Sequence, residues 1–197
     1  MKNTLSDRQK EIIEVSGKIL MNKGIKGLTT KTLAHEMGFT ESAIYRHFKT
    51  KEDIIVHLLE VLQHSIEQRL NEVNSQEKTA NEKLKIVFKS QFKFFQQNPH
   101  FIIAILSEGL FDESKRINSL VLKIIGFKSG IITQIVEQGI KSKVFTKTID
   151  ADDMVHILMG SFRLILLKWK FSKFTLDLEK EGNKKIGSVI QLITRTQ

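Results

Sequence analysis

Apolar residues recur at helical spacing along the whole chain, and no stretch alternates well enough to predict a strand. Ile12, Ser16, Ile19 and Leu20 share one face of a first helix, and Ser6 followed by Gln9 predicts a capping box at its start. Gly24 and Gly27 bracket a break after it. A second helix is expected from Thr29 or Thr30, whose hydroxyl can cap orphan backbone N–H groups, to Gly38. A third starts near Thr40 and carries Ala43, Ile44, Tyr45 and Phe48. Thr50 is placed to cap a fourth, with Glu52 and Asp53 in the first turn, where the helix dipole favours negative charge. Ile54, Leu58, Leu62, Ile66 and Leu70 carry that helix over 51–73 before Asn74, Ser75 and Gln76 interrupt it. Further helices are predicted over about 80–97, 100–110, 116–141, 151–172 and 177–195. The pattern is that of an all-α chain of about nine helices, without internal repeat or low-complexity tract.

Composition narrows what such a chain can do. With no cysteine among 197 residues, disulfides, thiolate metal sites and thiol redox chemistry are excluded. A net charge of +9 points to a polyanionic partner, nucleic acid or an anionic membrane, without choosing between them. The surplus is spread along the chain: residues 1–51 hold 10 Lys/Arg against 5 Asp/Glu, and the remainder keeps nearly half of the excess. The first 20 residues lack the apolar core of a signal peptide. The most apolar stretch, 154–167, contains His156 and Arg163 and is too short and polar to span a bilayer. The expectation is a soluble, cytoplasmic protein with no membrane partner.

Residues 28–54 carry the sharpest signal. Two short helices flank the tight turn Met37-Gly38-Phe39-Thr40; Leu33, Ala34 and Met37 face one way, and Ala43, Ile44 and Phe48 answer them. This is the spacing of a helix-turn-helix, whose second helix enters the major groove of DNA. Its outer face would present Glu41, Ser42, Tyr45, Arg46 and His47, groups suited to base edges and phosphates.

The ordered set Gly24, Gly27, Thr29, Thr30, Ala34, Gly38-Phe39-Thr40, Tyr45, Phe48 and Lys51 resembles the DNA-binding head of TetR-type transcriptional regulators. The resemblance spans roughly residues 10–58. It implies a head over 1–50 and a helical regulatory, ligand-binding and dimerisation domain over 51–197, linked by the long fourth helix. It also implies that Thr29 or Thr30 and Lys31 touch phosphate, and that Thr40, Glu41, Ser42, Tyr45, Arg46 and His47 form the groove surface. Tyr45, His47 and Lys51 are the phosphate candidates. Ser42 stands where many members have glycine, and Glu41 is acidic, so the operator sequence stays open.

The penultimate helix is apolar on nearly every side, which calls for burial on two sides. A symmetric dimer through the last two helices, forming a four-helix bundle, accounts for this; the family resemblance implies the same arrangement. The expected interface is Met154, Leu158, Phe162, Ile165, Leu166, Trp169, Ile186, Val189, Ile190 and Ile193. A ligand pocket is implied by the resemblance. Phe88, Phe92, Phe95, Ile105 and Phe127 are candidate lining, unless they are plain core, and Gln91, His100, Glu108 and Gln134 are candidate polar anchors. Such a lining favours an apolar or amphipathic effector of unknown identity.

Catalytic and metal chemistry find no support. His57, Glu60, His64 and Glu67 share a side of the fourth helix but read as a solvated face, and His35-Glu36 lacks the second histidine of a zinc-protease helix, with Phe39 in its place. No cofactor is expected. The reading is a dimeric, ligand-responsive regulator, most simply a repressor of a palindromic double-stranded operator. The alternative is a basic helical protein of membrane surfaces or scaffolds, without sequence-specific DNA binding.

Overall fold

Nine helices make up most of residues 5–107 and 114–195, which the computed structural model describes. They are α1 (Asp7–Gly27), α2 (Thr30–Met37), α3 (Glu41–Tyr45), α4 (Lys51–Asn74), α5 (Ala80–Gln97), α6 (His100–Ile105), α7 (Lys115–Lys141), α8 (Ala151–Phe171) and α9 (Leu178–Ile193). The described residues include no strand, only an isolated bridge between Phe145 and Thr194.

Local chemistry sets the boundaries. Ser6 accepts a bond from the Gln9 N–H, and the Gln9 side chain accepts one from the Ser6 N–H, so α1 opens with the expected capping box. Thr79 and Glu82 repeat the device at α5. At α4, Thr50 and Asp53 exchange the same pair of bonds, each at 3.0 Å. The break expected after the first helix is instead a kink: Gly24 takes φ 65° and ψ −171° within α1, which then runs on to Gly27. The helix expected over 100–110 is described only as the short α6, and residues 108–113 lie outside the described set.

The chain forms two compact units, one of residues 1–62 with 99–122 and the other of 63–98 with 123–197; α4 and α7 each run from one into the other. In the first unit Ile12, Leu20, Leu33, Ile44 and Phe48 are buried. In the second, the Phe162 ring lies 5.6 Å from Phe88, 5.2 Å from Phe92 and 6.3 Å from Phe95, so one α8 side chain gathers three α5 rings. Gly182 lets α9 approach α5 closely, since a Cβ there would sit 2.8 Å from the Phe92 ring.

The expected dimer face needs correcting. Met154, Leu158, Phe162, Ile165, Leu166, Trp169, Ile186, Ile190 and Ile193 are buried within a single chain, and Val189 is half-buried. Side chains of the same unit cover them, as the rings around Phe162 illustrate. What remains outside is a different stripe: Ile157 (43 % exposed), Leu164 (51 %) and Phe171 (77 %) on α8, with Leu192 (77 %) on α9. On α8 the spacing of seven places these residues on one face. A second correction concerns hydropathy. The stretch 154–167 reads in the sequence as the most apolar and too short to span a bilayer, but among the described residues α7 is long and apolar enough to cross a membrane. Ile124, Ile131, Ile132, Ile135 and Val136 of α7 are nevertheless buried in the protein.

Two glycines of α9 should respond in opposite directions to alanine. Gly182→Ala overpacks the α5–α9 contact and is expected to cost about 1–3 kcal/mol. Gly187, which has open space around its Cβ position, should gain about 0.5–1 kcal/mol from reduced chain entropy. Urea denaturation of each variant reads both signs.

Candidate nucleic-acid interface

The helix-turn-helix is built by caps at each junction. Thr29 caps α2 by accepting from the Thr32 N–H at 3.0 Å. Gly38 ends α2 in the left-handed region (φ 66°, ψ 30°), a conformation that favours glycine, and the Phe39 N–H closes the turn onto the Ala34 carbonyl at 2.8 Å. Thr40 then caps α3, accepting from the Ala43 N–H at 3.3 Å. Beneath α3, Ile44 (0 % exposed) and Phe48 (2 %) are anchored in the first unit's core.

The outer face carries the predicted groups. Lys31, Glu41, Ser42, Tyr45, Arg46 and His47 are exposed, as are Thr29 and Thr40, while Thr30 and Lys51 are half-buried. Several are already engaged inside the motif. The Thr30 hydroxyl donates to Glu41 Oε2 at 2.9 Å. Its only proton is thereby used, so the Tyr45 hydroxyl, 3.2 Å away, donates to it. One residue at the start of α2 thus braces both ends of α3. Thr40 and Ser42 hydroxyls lie 2.9 Å apart, and the His47 carbonyl accepts from Gln9 Nε2 at 3.4 Å. The guanidinium of Arg46 has no hydrogen bond or ion pair among the described residues.

Lys51 has a second task. Its ammonium donates to the Ile25 carbonyl at 2.7 Å, clasping the end of α1 to the start of α4. Lys23 and Glu36 make a further tie, 2.8 Å apart, between α1 and α2, and this partner holds the Glu36 carboxyl below its ordinary pKa. Sequence reading missed Arg8, whose guanidinium sits 4.8 Å over the Phe39 ring beside the turn. A basic residue in the first turn of an ordinary amphipathic helix gave no signal of that placement.

The predicted ligand-pocket residues are divided between the units. Phe88, Gln91, Phe92 and Phe95 form one buried stripe of α5 in the second unit, and Phe127 is half-buried there. Gln134 is exposed and its amide oxygen accepts from Asn74 at 3.0 Å, so it points away from an apolar interior. His100 and Ile105 belong to the first unit. The His100 ring packs over Gly17, 4.3 Å from Phe101, and burial lowers its pKa, favouring the neutral ring. Glu108 lies outside the described residues. A cleft of about 620 Å³ beside the α4–α5 turn is lined by Asn74, Glu77, Lys83 and Gln138, polar groups rather than the predicted rings. Among the described residues no three His, Cys, Asp or Glu side chains converge on one point. His57 is half-buried rather than solvated, its ring 5.2 Å from Phe48 and Nδ1 2.8 Å from the Asp53 carbonyl oxygen.

Known proteins share this arrangement. A family model for bacterial regulatory proteins of the tetR family matches residues 12–58, and one for the C-terminal region of YsiA-like protein matches 56–194. The nucleoid occlusion factor SlmA of Aliivibrio fischeri (strain MJ11) is 28 % identical over 162 residues, 79 % of this chain and 82 % of that protein. SlmA of Vibrio cholerae is 26 % identical over 173 residues, covering 87 % and 88 %. Among solved structures, the ketosteroid regulator KstR2 of Mycobacterium tuberculosis aligns with a TM-score of 0.82 at 18 % identity, over 97 % of each chain. The regulator FadR of Bacillus subtilis, in complex with stearoyl-CoA, aligns with a TM-score of 0.79 at 20 % identity, over 93 % of this chain and 98 % of that one. With both its helix-turn-helix head and its C-terminal region matched, this chain belongs to the TetR family of bacterial DNA-binding transcriptional regulators.

Proposed function

We propose that this protein represses transcription as a homodimer on a palindromic operator and leaves the DNA when an amphipathic effector occupies its C-terminal region. The exposed face of α3 carries the reading, with Arg46 unengaged and Tyr45 already oriented through Thr30. Arg46 is the candidate for bidentate contact with guanine, and Tyr45, His47 and Lys31 are candidates for phosphate. Two heads must then reach successive major grooves, about 34 Å apart on one side of the duplex. An effector that binds better to a conformer with another spacing draws the population off DNA, by as much as its affinities for the two conformers differ.

The dimer face in this proposal is the exposed stripe of Ile157, Leu164 and Phe171 with Leu192. The fold likeness to FadR bound to stearoyl-CoA supports an acyl-like or otherwise amphipathic effector. The SlmA relatives support a second reading, a DNA-bound factor whose task is nucleoid occlusion, because they align along most of the chain. The buried polar groups of the second unit favour the effector reading.

Selection from a random duplex pool tests the DNA-binding part. The wild type should enrich an inverted repeat, and Arg46→Ala should relax one position per half-site at a cost of about 1–3 kcal/mol. An unchanged motif and affinity in Arg46→Ala would remove α3 from base reading. Tyr45→Phe should weaken binding to all sequences alike. Lys51→Ala should also lower the thermal stability of the head, because it opens the clasp on Ile25.

The dimer face is tested by Leu164→Glu combined with Leu192→Glu, which should give a folded monomer in sedimentation at micromolar concentration. Leu158→Glu, at a buried position, should instead unfold the second unit. A dimer that survives the double exchange would refute this face.

A further inference from the structure

The second unit buries cationic and polar groups that DNA binding does not use. Lys128, midway along α7 and 5 % exposed, holds its Nζ 3.3 Å from the Phe162 centroid and 6.0 Å from that of Phe88. Arg69, on α4, stacks 4.0 Å over Phe94 and gives one bond, from Nη1 to the Ser65 hydroxyl. Its Nε and Nη2 are buried without a partner. Gln91, on α5 and 0 % exposed, leaves both amide atoms unpaired. No ion pair among the described residues includes Arg69 or Lys128.

These groups are neighbours. Phe162 meets both Lys128 and Phe92, and Gln91 follows Phe88 by three positions on the buried stripe of α5. Burial, and after it the positive charge of Arg69, holds the Lys128 pKa well below that of an ordinary lysine; burial brings Arg69 down to about 10. A buried ammonium and a half-buried guanidinium with two orphan N–H groups, set against aromatic rings beside an unpaired amide, oppose folding unless something completes them. Cation–π contact offsets only part of this.

We propose that Arg69, Lys128 and Gln91 bind the carboxylate of an apolar-tailed acid, with the tail among Phe88, Phe92 and Phe162. Nε–H and Nη2–H of Arg69 form the side-on edge of the guanidinium, the edge that takes a carboxylate with two parallel bonds. Lys128 supplies a second positive charge, and the Gln91 amide a neutral donor. A thioester or alcohol head would leave the cations unneutralised, so the site selects the free acid over its coenzyme A ester. This inference rests on the effector reading above and narrows that effector to an unesterified anion.

Calorimetric titration of the full-length protein with decanoate, decanol and decanoyl-CoA tests it, alongside Lys128→Met and Arg69→Gln. Decanoate should bind the wild type at least about tenfold more tightly than either other probe, and each variant should lose about tenfold or more of that affinity. Decanol should bind wild type and variants alike. Lys128→Met should also raise the ligand-free Tm, because it removes an uncompensated buried charge. Equal affinity of the wild type for decanoate and decanol or decanoyl-CoA would overturn the site, as would undiminished decanoate binding in both variants. Release of DNA is followed in parallel. Decanoate that binds without releasing DNA leaves the site standing and overturns the effector reading; release by decanol or decanoyl-CoA without preference for decanoate does the reverse.

Discussion

A helix of five residues does not hold its shape in water: isolated helices shorter than about 12–15 residues are marginal, because nucleation fixes several dihedrals for each bond gained. The surface proposed to read DNA therefore depends on what lies beneath and beside it. Ile44 and Phe48 supply the buried anchor, Thr40 the cap, and Thr30 the brace that reaches both Glu41 and Tyr45. Gly38 makes the approach of α2 to α3 possible, and Lys51 fastens the end of α1 to the start of α4. Most of the motif is thus spent on positioning a few side chains. Glu41 illustrates the economy, since the carboxylate expected to meet a base also holds the motif together.

Charge is used in two ways. The net +9 attracts a polyanion over distances of about a Debye length, and that attraction carries no sequence information. Lys128 belongs to the same count yet is buried, and Arg69 is half-buried with its Nε and Nη2 turned away from solvent, so both give less to long-range attraction. Their burial costs stability, which the proposed carboxylate would offset.

Much of this was legible in the residues. The capping box at Ser6 and Gln9, the turn at Gly38, and the exposed face of α3 follow from interactions within a few positions of one another, which sequence reports directly. The exposed stripe proposed as the dimer face was not. Periodicity says that α8 is apolar all round, but only tertiary packing says which side the chain covers for itself; Leu158 and Leu166 went inward, and Leu164 stayed out. Lys128 and Arg69 were overlooked because a charged side chain is ordinarily solvated. The available signal was register: Lys128 falls between Ile124 and Ile131, and Arg69 next to Ile66 and Leu70, on apolar faces. Gln134 misled for the opposite reason, being polar and simply at the surface.

In the proposed function a few side chains on α3 and at its C-terminal end, Arg46 among them, confer sequence-specific DNA binding on top of an unspecific attraction from the basic surplus. The most direct measurement is the affinity for a selected operator and for a scrambled duplex, each followed as a function of salt. Both affinities should fall in parallel with salt, with the operator bound about 10³-fold or more tightly at physiological ionic strength. Equal affinity for the two duplexes at every salt concentration would contradict it and leave only a basic helical protein that adheres to polyanions.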